Sequence, residues 1–321
     1  MNKYLSMTLV SALAFHVSAE LAPETGLSGE IAINTIFASS QSSFDTGGDE
    51  RITSLETKSK SSRQSNFAVG PLGNLAYTFG DKRQQQVYLG TSRDDIAVGT
   101  LALQLGYQYE METGTVVDVA FLPTVMSGKT WASPYQLNSQ RQETDESGNA
   151  YRLTFNSIQG SPWTIDVAYA TKEIDNDQFP SPELARDGKS YYLKGQYRYS
   201  LSPTSLLQPS ITYINHQADG DANTHHSYAA DLSYFTFINR HKLALTAGYT
   251  KRDYQGGNSL FNHTVRNDDE LSLFFAYEYS QFMDWDDWSL IALAGYNQSS
   301  SNLSFYDESS LFTALGLNYQ F

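Results

Sequence analysis

The chain contains no cysteine among its 321 residues, which excludes disulfides and thiolate metal sites. It also lacks, beyond its first residues, any run of about 18 apolar residues, so no helix can span a bilayer. Positive charge is scarce. Lys and Arg number 21 against 35 Asp and Glu, a formal charge of −14. That balance argues against a basic nucleic-acid surface. Aromatic residues are abundant, with 22 Tyr and 17 Phe.

The N-terminus reads as an export signal. Met1-Asn2-Lys3 is a short positive segment, Tyr4 to Phe15 is mostly apolar, and Val17-Ser18-Ala19 offers small residues for cleavage. Residues 1–19 are therefore expected to be a signal peptide and residues 20–321 the mature protein. Losing Lys3, the one charge before Glu20, brings the mature charge to −15.

What remains is alternation. The last strand carries Leu311, Thr313, Leu315, Leu317, Tyr319 and Phe321 in one phase, and Ser310, Phe312, Ala314, Gly316, Asn318 and Gln320 in the other. A period of two gives one apolar face and one that is mostly polar or small. Other clear cases are Leu101 to Tyr109, Tyr191 to Leu201, Leu243 to Tyr249 and Leu271 to Tyr279. Fourteen such segments can be traced, joined alternately by short turns and long loops. If the weak third segment, around Val87, Leu89 and Thr91, is discounted, twelve remain. Segments of about ten alternating residues, with aromatics at their ends, predict an all-β, single transmembrane antiparallel β-barrel. An even count puts both termini in the periplasm. Ser92 to Asp95 is expected to be a short external turn.

The inward phase contains ionisable residues at membrane depth, where charge is costly without water or partners. Basic candidates for the pore lining are Arg152, Lys172, Lys194, Arg198, Lys242 and Arg252. Acidic ones are Glu30, Asp118, Asp166, Asp231 and Glu278. Arg152, Lys172, Lys194 and Arg198 lie on adjacent strands; at matching heights they would form one positive patch favouring an anionic group on a solute. A lumen wider than that of an eight-strand barrel suggests a channel for passive diffusion of small hydrophilic solutes, anionic groups and saccharides among them.

A hydrolase is the competing class. His225-His226-Ser227 with Asn239 resembles the Ser/His/Asn set of the outer-membrane phospholipase, but Ser227 and Asn239 are 12 residues apart along one predicted strand, roughly 40 Å. His263 near Asp268 and Asp269 could be set against the Asp/His groups of omptin-type proteases, without a specific pairing. A structural or adhesive barrel is a further alternative. Asp219-Gly220-Asp221 lacks the rest of a calcium loop. No catalytic set, cofactor motif or metal motif is identified.

The signal peptide, Leu27-Ser28-Gly29-Glu30 and the tail Leu317-Asn318-Tyr319-Gln320-Phe321 together resemble a family of Gram-negative outer-membrane proteins of unknown function. The resemblance implies a porin-like barrel in the outer membrane. Its surroundings would be outer-membrane lipid and lipopolysaccharide. The barrel assembly machinery would read Tyr319 and Phe321 as the insertion signal. A monomer is expected rather than a trimer.

Overall fold

A computed structural model of the protein describes residues 21–55, 61–91, 102–124 and 127–321. The expected signal peptide and the expected turn at Ser92 to Asp95 lie outside them.

The wall begins with β1 (Gly26–Gln41), β2 (Gln64–Phe79), β3 (Gln85–Gly90), β4 (Gln104–Glu110) and β5 (Val116–Pro123). A small hairpin, β6 (Gly128–Trp131) and β7 (Glu143–Ser147), stands within the connection that follows. The wall continues with β8 (Asn149–Asn156), β9 (Trp163–Ile174), β10 (Gly188–Tyr197), β11 (Tyr199–Ser202) and β12 (Ser205–Ala218). It ends with β13 (His225–Ile238), β14 (His241–Asn258), β15 (Thr264–Ser280), β16 (Trp288–Ser301) and β17 (Glu308–Gln320). Because β10 and β11 are one strand broken at Arg198, the result is a closed antiparallel barrel of fourteen strands. The third strand is real. β3 pairs with β2 on one edge and β4 on the other.

Closure is made between the first and last strands. Glu30–Gln41 pairs in unbroken register with Ser309–Gln320. Gly29 and Phe321 then exchange two backbone hydrogen bonds of 2.9 and 3.0 Å. Hydrocarbon supplies no partner for a free N–H or C=O, so an open edge would be prohibitive there. Both strands meet at the barrel end that carries the short turns. One of these is Asn239-Arg240, where Asn239 takes a left-handed φ of 55°, a conformation Asn tolerates better than most residues.

The outer face is apolar as the period predicts. Leu27, Ile31 and Ile33 of β1, Leu271 and Leu273 of β15, and Leu315 of β17 are exposed, while Ala32, Asn34 and Asn318 between them are buried. Aromatic rings ring the periplasmic rim: Trp288 lies 5.1 Å from Tyr319, and Trp163 lies 4.9 Å from Tyr197. At the other rim Tyr169 meets Tyr191 and Tyr213 meets Tyr228. Such girdles sit at the two membrane–water interfaces.

This phase assignment has a direct consequence. Leu273→Arg or Leu315→Arg should lower stability by about 2–4 kcal/mol, read from reversible denaturant unfolding in lipid vesicles. Ser272→Arg, one residue along on the luminal face, should cost distinctly less. Equal losses would show that the faces are interchanged.

Candidate functional site

Barrel geometry turns single inward residues into rows. Gln86 pairs with Gln108, Gln108 with Asp118, and Asp118 with Thr154. The same row continues from Thr154 to Asp166, then to Lys194 and Thr212. Seven neighbouring strands therefore present one polar residue each at a common level of the ladder. The side chains are knitted together. Asp118 accepts hydrogen bonds from Tyr88 at 2.8 Å and Gln108 at 2.9 Å. Asp166, almost fully buried, accepts from Arg152 at 2.7 Å and Thr154 at 3.3 Å. Tyr88 reaches Asp118 by lying across Gly106, where a Cβ would collide with its ring. The ring lies along the wall instead of projecting into the lumen.

The remaining charges are placed as follows. Lys242 pairs with Glu278 at 3.1 Å and Arg252 with Glu270 at 2.8 Å. Lys172 pairs at 3.0 Å with Glu146 of the β6–β7 hairpin. Glu30 accepts from Asn318 at 3.0 Å, and Asp231 from Ser210 at 3.3 Å. Arg198 stands at the break between β10 and β11, its backbone N–H bound to Pro162. The four basic residues, which at matching heights would form one patch, do not all share a height, although Arg152 and Lys194 lie within two residues of one level. Lys172 lies opposite Gly188, Lys194 six residues further down β10, and Arg198 four beyond that. At about 3.3 Å per residue, the set is strung over roughly 33 Å. Arg152 and Lys172 each carry a carboxylate partner as well. A single positive patch does not form.

The external end is covered. The described parts of the connections, residues 42–55, 61–63, 127–148, 175–187, 219–224, 259–263 and 302–307, meet over the mouth. Buried Tyr135, Leu184, Leu303, Phe305 and Tyr306 form their common core, with Phe44 and Phe261 packed against it. Phe44 stacks on Tyr306 at 5.7 Å. The Tyr135 and Tyr306 hydroxyls lie 2.8 Å apart, and Asn258 Nδ2 donates to Tyr306 at 2.7 Å. Burial pushes both phenols above their ordinary range, so both remain neutral hydrogen-bonding groups at physiological pH.

Three arginines fasten this cap. Arg266 lies 4.5 and 3.8 Å from the ring centres of Tyr254 and Tyr306 and pairs with fully buried Asp268 at 2.6 Å. Arg141 sits 4.3 Å over Trp131 and donates to the carbonyls of Ser43, Asp49 and Pro134. Burial draws its guanidinium down to about 10, still charged at neutral pH. Arg186 pairs with Asp177 and donates to the carbonyls of Trp131 and Ala132. Residues 131–141 are thus tied to one neighbouring connection through Arg141 and to another through Arg186. Sequence reading foresaw long loops but not this shared core. The available signal was a set of aromatics, Phe44, Tyr135, Phe261 and Phe305-Tyr306, standing in otherwise polar loops.

The hydrolase candidates are dispersed. Ser227 and Asn239 lie at opposite ends of β13. The His225 ring lies 4.9 Å from His216 and 4.7 Å from Tyr254, tilted to both, and His226 contacts Tyr213. Asp268 is held by Arg266, while Asp269 accepts from Tyr249. Gly220 of Asp219-Gly220-Asp221 packs against the backbone of Glu183 and Ala185. Among the described residues, no three His, Asp or Glu side chains gather as a metal site.

A closed barrel with an apolar outer band, aromatic girdles and a polar inner row is a Gram-negative outer-membrane β-barrel protein. The chain belongs to the family described as protein of unknown function (DUF2860), whose profile matches residues 26–320. No curated protein matches the chain in sequence. Among solved structures, it is similar to OmpT with loop L8 deleted, an outer membrane protein of Vibrio cholerae. The identity is 10%, over 93% of this chain and 100% of that one, with a TM-score of 0.43. It is also similar to the outer membrane channel DcaP of Acinetobacter baumannii, at 10% identity over 95% and 99% of the two chains and a TM-score of 0.41. OpdQ of Pseudomonas aeruginosa is 10% identical over 92% and 97%, with a TM-score of 0.39.

The arginine ties can be tested. Arg186→Ala leaves Asp177 buried without its partner, a loss of about 3–5 kcal/mol. The loss should appear as faster amide exchange in residues 128–147 and cleavage by external protease, with the barrel's heat-modified gel mobility unchanged. Unaltered exchange would show that the cap does not depend on this pair.

Proposed function

We propose that the protein is an outer-membrane channel of porin type, passing small hydrophilic solutes when the external cap yields. The observation that carries this reading is the continuous polar row from Gln86 to Thr212 on the inner wall. Charged groups at membrane depth require water or partners, and Asp118, Asp166 and Lys194 face the lumen together. Most acids and bases of the inner wall pair with one another, so the channel discriminates weakly by charge. An anion preference has little support once Arg152 and Lys172 are neutralised by Asp166 and Glu146. Tyr319 and Phe321, at the end of the closing strand, serve as the signal for the barrel assembly machinery. The chain acts as a monomer among lipid and lipopolysaccharide.

The cap makes the expected electrical behaviour specific. In planar bilayers the unaltered protein should show rare, small conductance steps. Replacing Phe305 and Tyr306 together by Ala removes two core rings, and steps should become larger and longer-lived. Neither protein should hydrolyse phospholipid or peptide. Absence of steps in both, with hydrolysis by the unaltered protein, would overturn the channel reading in favour of an enzyme.

A further inference from the structure

One arc of the outer face changes character just above the external girdle. On β2, β1, β17 and β16 the apolar band ends at Phe67, Phe37, Leu311 and Tyr296; the two Phe rings lie 4.9 Å apart. The next residue in the same outward phase is Ser65, Ser39, Ser309 and Gln298 in turn. Arg63, just ahead of β2, folds back onto this shelf. Its guanidinium donates to the Ser309 hydroxyl at 2.9 Å and to that of Ser39 at 3.5 Å, and Ser39 is buried beneath it. Among the described residues no carboxylate pairs with Arg63, and its side chain is exposed. Further along the arc Lys251 and Asp269 stand opposite each other on β14 and β15. Asp269 accepts from the Tyr249 hydroxyl, and Lys251 is paired only loosely, with Asp253 at 3.9 Å on a half-exposed surface. Three inter-strand steps of about 4.8 Å separate Ser309 on β17 from Lys251 on β14, roughly 14 Å.

The shelf is also roofed. Residues 43–55 and 304–308 lean over it and enclose a cavity of about 510 Å³, within the range of small-ligand sites. Its floor includes Arg63, Ser309, Gln298 and the girdle ring of Tyr296, and it runs inward to Arg141 and Phe305 of the cap. Seven of the eighteen lining residues are serines. A hydroxyl both donates and accepts, so such a wall suits a polyhydroxylated ring better than an apolar group. The roof carboxylates are engaged already. Glu308 accepts from the Ser42 hydroxyl at 2.7 Å, and Asp307 and Asp49 accept from the backbone N–H groups of Ser301 and Ser62, both at 2.8 Å. Each keeps lone pairs for a sugar hydroxyl.

We infer that this cavity binds the phosphorylated sugar headgroup of an outer-leaflet glycolipid of the lipopolysaccharide class. Arg63 supplies a planar fork that matches a phosphate. Lys251 supplies a second cation toward the other end of the headgroup, and the serines and roof carboxylates meet the ring hydroxyls. The occupant is a lipid and not a soluble sugar phosphate because the floor is continuous with the bilayer. Phe67 is 78% exposed and Leu271 60% exposed just below it, where acyl chains would lie. The inference stands apart from the channel reading, since the shelf lies on the outer face of the wall.

The full chain, folded from denaturant into detergent so that no native lipid remains, is titrated with the lipid anchor of lipopolysaccharide, and binding is read by native mass spectrometry. The phosphorylated anchor should bind about tenfold more tightly than the same anchor with its phosphates removed. Arg63→Gln should erase most of that preference and Lys251→Gln part of it. Lys189→Gln, which removes an equal charge above the girdle seven strands from β1, should leave it intact. All three positions are exposed, and unchanged heat-modified gel mobility checks that each variant is folded. The comparison of the two anchors on the unaltered protein tests the site without any variant. Equal binding of the two anchors, an undiminished preference in the Arg63→Gln, Lys251→Gln double variant, or an equal loss in Lys189→Gln would each overturn the inference. Glucosamine 6-phosphate displacing the anchor at comparable concentration would overturn it too, by showing a site for a soluble solute.

Discussion

Everything in this molecule depends on the seam between the first and last strands. A sheet in lipid has no edge it can leave unpaired, because an exposed amide there has neither water nor a partner. The pairing of Glu30–Gln41 with Ser309–Gln320, locked below by Gly29 and Phe321, removes both edges at once. Because the first and last strands make that seam, closure joins residues nearly 300 positions apart in sequence. Strand tilt follows from closure, and tilt converts rows of paired residues into spirals. The polar row of the lumen is thus a consequence of the seam, since a flat sheet would carry it as a level band.

The inner wall is held in two ways. The polar row is held by short hydrogen bonds through Asp118 and Asp166, whose partners come from neighbouring strands. Apolar clusters elsewhere on the wall are held by packing, with Phe235 and Leu293 almost fully buried.

Much of this was legible in the sequence, and particular residues show why. Alternation is a local property, so Leu271 to Tyr279 announced a strand and its lipid face without reference to any neighbour. The last strand was announced by its alternation and terminal aromatics, but its pairing with the first was not. Height was not legible. Arg152, Lys172, Lys194 and Arg198 share a phase, but phase says nothing about register, and register set Lys172 and Arg198 apart from the level that Arg152 and Lys194 nearly share. The inner apolar clusters were hidden for the same reason, although Leu273-Phe274-Phe275 and Tyr234-Phe235-Thr236-Phe237 carry large apolar residues in both phases. A strand that is apolar on both faces in a barrel otherwise polar inside has something to pack within the lumen. The cap lay further from reach, since Phe44, Tyr135, Phe261 and Tyr306 belong to four separate connections and meet only in three dimensions.

The shared core of the cap has a consequence for how this surface can change over generations. Exposed loops normally drift one at a time, each free of the others. Here a replacement at Phe305 is felt at Phe44, Tyr135 and Phe261 together. The external face is therefore inherited as a block. Its tips are free to vary, but its roots move only in concert, and a loop transplanted alone from a related barrel would arrive without the rings it must pack against.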